Sequence, residues 1–248
     1  MLAVKRLYQE IGEKIKESLN SGEYPIGSRL PPERDIAALF GISRAVVREA
    51  IIMLELENLV DVRKGSGVYV INLPSSTSSL NNKDDIGPFE MLQARQLLES
   101  NIAAFAATKI VKTDIADMRD ALEQEARALD SGQDDNYDGD ELFHMLIARA
   151  TKNSVLEDML RELWQRRQQS PMWRKLHTHV VNKDYRRHWL EDHHKILQAL
   201  QCKDSFAASQ AMWQHLENVK ETLLALSDID DPNFDGYLFE SVPTLAQD

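Results

Sequence analysis

The sequence predicts a mainly α-helical protein built from an N-terminal winged helix-turn-helix and a C-terminal all-helical antiparallel bundle. Two observations support this fold class. Residues 1–72 contain three helical segments, the last two separated by a short break, followed by two β-rich runs around a glycine-containing turn. From residue 88 onward, apolar residues recur with the 3.6-residue period of helices, and no segment has convincing strand character.

The N-terminal part divides at residues that favour helix starts and turns. An amphipathic helix over 5–20 carries an apolar residue at every fourth position, and a turn-rich stretch follows it. A short helix over 31–40 has Pro32 in its first turn, where proline is well tolerated. The dipeptide "GI" ends this helix, and Ser43 is a suitable N-cap for the next one. The segment "LVDVRKGSGVYVI" then predicts a β-hairpin.

The remainder of the chain predicts a linker, a helical domain and a tail. Residues 73–87, "LPSSTSSLNNKDDIG", are polar and contain many turn formers, which is typical of a linker. Helical periodicity covers 88–109, 113–130, 138–152, 154–168, 183–201 and 204–227, and "SPMW" interrupts the fourth of these segments. The predicted domains are therefore 1–72, a linker over 73–87, 88–228, and an acidic tail over 229–248.

Charge and composition exclude several classes of protein. The net charge is −11, but residues 1–72 hold 10 basic and 10 acidic side chains, so all the excess acid lies after residue 72. Only the N-terminal part is therefore suited to a polyanion. Cys202 is the single cysteine, which excludes a disulfide framework and a cysteine zinc site. No apolar run reaches the roughly 18 residues of a membrane helix, and no signal peptide is evident, so we expect a cytoplasmic protein.

The order of elements in residues 1–72 predicts a DNA-binding domain. In helix-turn-helix motifs the second helix enters the major groove by its N-terminal end. On a helical wheel, Arg44, Ala45 and Arg48 fall outside the apolar face of this helix, and arginine can bond guanine or clamp a phosphate. Arg34 in the preceding helix could contact backbone or bases. The predicted wing adds Lys64, Gly65, Ser66 and Gly67. Any of these arginines taken alone could simply be a solvated residue.

Four ligand-type side chains of the helical part point to one interior. Asp140 and His144 lie one turn apart at the edge of an apolar arc, while His193 and His215 lie within the apolar stripes of two later helices. A single inward histidine is usually a satisfied core residue, but burying four such groups is costly unless they are paired. A divalent cation would satisfy all four, and imidazole with carboxylate suits Zn, Ni or Mn, as well as Co and Fe.

Arg95 is predicted to face the same interior. It shares a helix face with several apolar residues, and arginine is rarely buried without an anion. Glu99, one turn later, offers a structural ion pair. A bidentate anchor for the carboxylate of a bound ligand is the alternative, and the wheel does not choose between the two.

The segment "LPPERDIAALFGISRAVVREAIIMLELENLVDVRKGSGVYV" resembles the DNA-binding domain of the GntR family of bacterial transcription factors. One departure is that Ala45 and the following valine stand where the family often has Thr-Pro. The segments "DELFHMLIARATKNS" and "HHKILQALQCKDSFAASQAMWQHLENV" resemble the FCD ligand-binding domain of the FadR-like branch, an all-helical bundle. Its metal ligands match Asp140, His144, His193 and His215, and its inward arginine matches the predicted anchor.

The resemblance is greatest to repressors of hexuronate utilisation in enteric bacteria, in "GPFEMLQARQLLESNIAAFAA", "MWQHLENVK" and "DGYLF". It implies a homodimer on a palindromic double-stranded operator, released by a carboxylate-bearing effector such as a glucuronate or galacturonate pathway intermediate. Two alternatives stay open: a metal-dependent enzyme of sugar-acid metabolism, for which no clear general base is visible, and a DNA-binding dimer without an effector.

Overall fold

The computed structural model describes residues 6–63, 66–74, 85–132, 137–179 and 185–227. They form two compact units. The first unit draws its described residues from Met1–Gly87, Arg174–Val181 and Leu224–Asp248, and the second from Pro88–Trp173 and Asn182–Leu223. The predicted linker over 73–87 and the predicted tail over 229–248 lie largely or wholly outside the described residues.

The first unit contains the predicted helix-turn-helix and wing. Its elements are α1 (Leu7–Asn20), α2 (Glu33–Phe40), α3 (Arg44–Leu56), β1 (Val60–Arg63) and β2 (Gly67–Val70). The two strands pair antiparallel, with Val60 opposite Val70 and Arg63 opposite Gly67, and Arg29 forms an isolated bridge to Tyr69 beside them. The predicted order of elements is confirmed.

Local chemistry explains where α2 and α3 begin and end. Gly41 adopts a left-handed conformation, with φ 65°, directly after α2. Glycine tolerates positive φ because it has no Cβ. Ser43 then caps α3 by accepting a hydrogen bond from the backbone N–H of Val46. Val47 and Leu54, on the inner face of α3, are fully buried. The turn and the core face together fix the direction in which the N-terminal end of α3 points.

Beyond residue 87, helices account for all the regular structure that the described residues contain. These are α4 (Pro88–Lys109), α5 (Lys112–Asp130), α6 (Asp138–Ala150), α7 (Ser154–Gln169), α8 (Pro171–His179), α9 (Tyr185–Gln201) and α10 (Ser205–Leu226). The mainly α-helical fold class is confirmed. In the second unit, α6 packs against α4, α5 and α7, while α9 packs against α4 and α5.

One helix differs from the sequence-based prediction. "SPMW" was expected only to interrupt a helix, but α8 starts at Pro171 within it, because proline fits the first helical position. His177 is a half-buried residue of α8, and His188 is exposed on α9.

Helices α5 and α6 approach each other very closely at Gly139. A Cβ atom at this position would lie 2.8 Å from the backbone nitrogen of Glu125, which is nearer than real Cβ contacts allow. Glycine therefore permits the backbone of α6 to touch that of α5 one residue before Asp140. This close approach places the start of α6 directly over the buried Glu125.

Candidate functional site

Helix α6 brings two of the four predicted ligands into the interior. Asp140 and His144 are one turn apart, so they share a face of the helix, and both are buried. Phe143 lies beside them, and its ring centroid is 5.0 Å from that of His193. The wall of the site is therefore formed by a fully buried aromatic residue from the same turn as the first two ligands.

Helices α9 and α10 supply the other two. His193 and His215 are buried, and their Nε2 atoms face each other at 3.2 Å. Asp140 Oδ1 lies 3.5 Å from the Nε2 atoms of both His144 and His193. One ligand atom from each of the four residues lies within 4.8 Å of the others. The structure thus brings together the whole set that the sequence predicted.

The donor chemistry of this cluster fits a metal ion. Two imidazole nitrogens that face each other can share only one proton, and His144 Nε2 is buried with no hydrogen-bond partner among the described residues. The separations of 3.2 Å and 3.5 Å between these ligand atoms suit atoms that each lie about 2.0–2.2 Å from a central cation. Three imidazoles and one carboxylate are a donor set for Zn, Ni or Mn. The cluster could therefore hold a divalent cation.

A carboxylate lies at the outer nitrogen of each histidine. His144 Nδ1 donates to Glu99, and His193 Nδ1 donates to Glu125 at 3.0 Å. His215 Nδ1 lies 3.9 Å from Asp192 Oδ2. Hydrogen-bonded partners fix the tautomer and the ring orientation of ligating histidines, so the rings of His144 and His193 present Nε2 to the centre. Helical periodicity alone does not identify these three carboxylates as partners of the histidines.

The carboxylates of the cluster act differently on His144 and His215. Burial alone would lower the pKa of His144, but the carboxylates of Glu99 and Asp140 raise it to about 9. Burial, assisted by the neighbouring His193, lowers the pKa of His215 to about 3. At neutral pH, His144 is therefore an imidazolium between two carboxylates, while His215 is neutral. A cation that binds here must displace the His144 proton.

Arg95 is buried on α4 beside this cluster, as predicted. Its Nε donates to Glu99 at 2.5 Å, so the structural ion pair weighed in the sequence analysis is present. Although burial favours a protonated Glu99, Arg95 and His144 lower its pKa to about 2. No described residue accepts a hydrogen bond from the two terminal nitrogens of Arg95, which remain available to a ligand.

Three buried side chains near the cluster were missed. Trp164 and Arg167 on α7, and Arg186 on α9, are buried in the same unit. In α7 the buried positions are Leu160, Trp164 and Arg167, which follow the i, i+4, i+7 spacing of one helix face. A helical wheel of α7 would therefore have detected Arg167.

The exposed end of the predicted recognition helix carries the residues expected to meet DNA. Arg44, the first residue of α3, is exposed, and Ala45 is half-buried. Arg34 on α2 is also exposed, and its Nε lies 3.4 Å from Asp35. The positions of these three residues agree with the predicted interface.

Arg48 does not lie where the helical wheel placed it. Its side chain is only 2% exposed, and its Nε and Nη2 groups donate to the two oxygens of the buried Glu33 carboxylate. The prediction that Arg48 is exposed is wrong, because its guanidinium forms an ion pair with Glu33 on the neighbouring helix α2. A wheel contains only one helix and cannot show such a partner. The role of Arg48 at DNA stays a prediction.

The described part of the wing has a tight backbone. Lys64 and Gly65 lie outside the described residues. Ser66 is half-buried, with its Oγ 2.8 Å from the hydroxyl of Tyr69. Gly67 has φ 110°, and a Cβ there would meet the guanidinium of Arg29 at 2.2 Å. Gly67 therefore lets the wing strand pass close to an exposed arginine.

Comparison with known proteins now decides the family. The pattern of bacterial regulatory proteins of the gntR family matches residues 7–70, and the FCD domain pattern matches residues 90–218. The chain belongs to the GntR family. It is a DNA-binding transcription regulator with an FCD domain, and it is not an enzyme. Among its described residues, no helix is long and apolar enough to cross a membrane.

Several relatives match the regulator over nearly its whole length. The Uxu operon regulator of Haemophilus influenzae is 50% identical, with 98% of this chain and 91% of that protein covered. The Uxu operon transcriptional regulator of Escherichia coli K12 is also 50% identical, over 97% and 96%. The Exu regulon transcriptional regulator of E. coli K12 is 45% identical, over 98% and 95%.

A solved structure shows the same fold. It is that of Lar, which controls the expression of the Listeria monocytogenes agr system. It matches with a TM-score of 0.50 and 15% identity, over 90% of this regulator and 99% of that chain. At this identity the likeness concerns the fold alone.

Proposed function

We propose that this regulator represses genes of hexuronate catabolism and leaves its operator when a sugar acid binds in the helical domain. One observation carries the effector part: the buried cluster of Asp140, His144, His193 and His215, whose ligand atoms lie within 4.8 Å of one another. The identity to Uxu operon and Exu regulon regulators supports the choice of target genes. Binding to an operator would place the protein in the cytoplasm.

The cluster would hold a divalent cation such as Zn, Ni or Mn. Its four protein ligands leave coordination positions that an effector can use, and a bound cation would supply an electrophilic centre for a carboxylate oxygen. The carboxylates at the outer nitrogens would keep the imidazole rings in register before the effector arrives. This ordering reduces the entropic cost of effector binding.

Arg95 would contact the effector through its terminal nitrogens. Because Nε is already committed to Glu99, the guanidinium is held in a fixed orientation. The N–H groups of the two terminal nitrogens would then donate to a carboxylate. The contact would connect the effector with His144, since Glu99 also accepts from that ring.

At DNA, the exposed Arg44 would enter the major groove at the start of α3, with Ala45 beside it. Arg34 and the wing residues 64–67 would contact the backbone or the adjacent groove. Two subunits related by a two-fold axis would read a palindrome, because a symmetric dimer presents two copies of the same surface. An effector that prefers one arrangement of the helical domain would shift the population of DNA-binding dimers.

Fluorescence anisotropy with a labelled duplex tests the proposal. The duplex comes from the region upstream of the hexuronate genes of the source organism. Metal-loaded protein should bind it, and glucuronate, galacturonate or one of their ketose isomers should release it. The variant His193→Ala should still bind the duplex and should lose the response, whereas His194→Ala, altered at an exposed neighbour, should behave as wild type.

Two results would contradict the proposal. Failure to bind any such duplex would refute the choice of target genes. Tight binding that no sugar acid alters, with or without metal, would favour a regulator whose helical domain lacks a sugar-acid effector. A size measurement of the protein–DNA complex checks the dimer separately.

A further inference from the structure

Arg167 is a buried cation that forms no ion pair with the other described residues, and the Asp140 carboxylate acts on it only from beyond ion-pair distance. The Arg167 side chain is 6% exposed, and among the described residues it makes no hydrogen bond and no ion pair. Its Nε is fully buried. Burial lowers the pKa of the guanidinium, but arginine stays charged in proteins. Burying a charge without a partner costs free energy, so we expect an anion to bind beside Arg167.

Aromatic rings hold Arg167 in place without using its hydrogen-bond donors. The guanidinium carbon lies 4.7 Å from the ring centroids of both Trp164 and Tyr137, and 4.8 Å from that of Trp173. Contacts of this kind use the attraction between a cation and the face of a ring. The five N–H groups point outward in the guanidinium plane and still need acceptors. The cage therefore orients Arg167 and leaves its donors for a ligand.

Trp164 contacts both Arg167 and the cluster of Asp140, His144, His193 and His215. The same indole lies 4.3 Å from the guanidinium carbon of Arg95, and its centroid lies 5.7 Å from that of His144. Its Nε1–H is buried and has no acceptor among the described residues. Two guanidinium groups and one ligand histidine thus lie around the Trp164 ring, which itself carries an unused N–H donor. Their arrangement is that of a site for an oxygen-rich anion.

The distribution of charge distinguishes the two arginines. Arg95 has its counter-ion in Glu99, at 2.5 Å. Arg167 has no carboxylate within ion-pair distance in the described part of the chain, and the carboxylates of Asp140 and Glu141 act on it from farther away. A ligand carboxylate would therefore be attracted chiefly by Arg167, while Arg95 would add hydrogen bonds from a group that is already neutralised.

We propose that Arg167 is the specificity-determining residue that balances the carboxylate charge of the effector, with Trp164 Nε1 as an additional donor. This inference rests on the proposed function, because it assumes that a sugar acid occupies the site. The proposed ligand is a polyhydroxy acid whose carboxylate binds the Arg167 guanidinium, which is held between aromatic rings. The corresponding neutral sugar should then be rejected.

Calorimetric binding to the metal-loaded, full-length protein tests this assignment. The probes are glucuronate and galacturonate, with their ketose isomers, each paired with the neutral hexose that has a hydroxymethyl group in place of the carboxylate. The variant Arg167→Gln should bind the acid about 30-fold or more weakly, the lower end of the loss when one partner of a buried charge pair is removed. Its weak binding of the neutral hexose should not change. Metal content should stay as in wild type.

Two further variants complete the design. Arg166→Gln changes an exposed arginine one residue away, which pairs with Glu162, and it should bind the acid as wild type does. Arg167→Lys keeps the charge and loses the planar fork, so it should bind the acid more weakly than wild type and still prefer it to the hexose. The Lys variant keeps the test valid if the neutral variant does not fold.

The possible failures can be told apart. Equal losses for acid and hexose in Arg167→Gln would show a purely structural role and overturn the inference. Acid binding at wild-type strength in Arg167→Gln, or in Arg167→Lys if only that variant folds, would overturn it and leave the proposed function intact. If wild-type protein binds none of the sugar acids, the proposed function itself fails, and the inference fails with it.

Discussion

Replacing Glu125 by glutamine should weaken metal binding without removing any ligand. Glu125 is buried on α5 and accepts from His193 Nδ1 at 3.0 Å, an ordinary length for a charge-assisted hydrogen bond. Loss of such an outer partner typically lowers metal affinity about 10- to 100-fold, or about 1.4–2.7 kcal/mol. The amide oxygen of glutamine can still accept the hydrogen bond, so we expect a loss of about 10-fold.

A competition titration against a chromogenic chelator, with Zn²⁺ and Ni²⁺ in turn, measures this loss. The matched control is Glu123→Gln, since Glu123 is exposed on the same helix and only 3.7 Å from Arg127. Its metal affinity should equal that of wild type. Unchanged affinity in Glu125→Gln, or an equal loss in Glu123→Gln, would refute the reasoning, because the effect could then not come from the bond to His193.

Four further predictions concern the ligands, the two arginines of α3 and the proton. His193→Ala should abolish stoichiometric metal binding in elemental analysis, whereas the exposed His194→Ala should not; equal behaviour would exclude His193 as a ligand. Arg44→Ala should weaken operator binding by about 1–3 kcal/mol with an unchanged melting temperature. Arg48→Ala should lower the melting temperature by several degrees, because it leaves a buried carboxylate unpaired, and an unchanged value would argue against the ion pair. Metal affinity should fall about tenfold per pH unit below about pH 8, because the pKa of His144 is raised to about 9 and its proton must leave before the metal binds. Calorimetry in buffers of different ionisation enthalpy should show the release of about one proton per bound metal ion.

The sequence predicted the helix-turn-helix and the inward histidines because both depend on local periodicity. Ser43 and Gly41 mark the ends of neighbouring helices by their own backbone chemistry. His193 and His215 lie within stripes of apolar residues, and an apolar stripe must face a core. Each of these inferences needs only one element at a time.

What escaped the sequence depends on partners from other helices. Arg48 was placed in the open because nothing in its own helix reveals Glu33 on α2. The three carboxylates behind the histidines come from α4, α5 and α9, and their distances to the rings follow from packing alone. Arg167 is a different case, because the spacing of apolar residues in its own helix already places it on the buried face of α7. Helix α8 escaped because Pro171 can end one helix or begin another.

The proposed metal-ligand motif includes Gly139, a residue that binds no metal but is needed for the contact between α5 and α6. Any attempt to transplant the Asp-x-x-x-His pair into another helical scaffold would need the preceding glycine and a partner helix whose backbone comes equally near. With alanine in its place, α6 would be displaced from Glu125, and Asp140 would move with it. The segment that would have to be transplanted is therefore "GDELFH" together with the part of α5 that packs against it. A designed site would need this contact between two backbones as well as the ligand side chains.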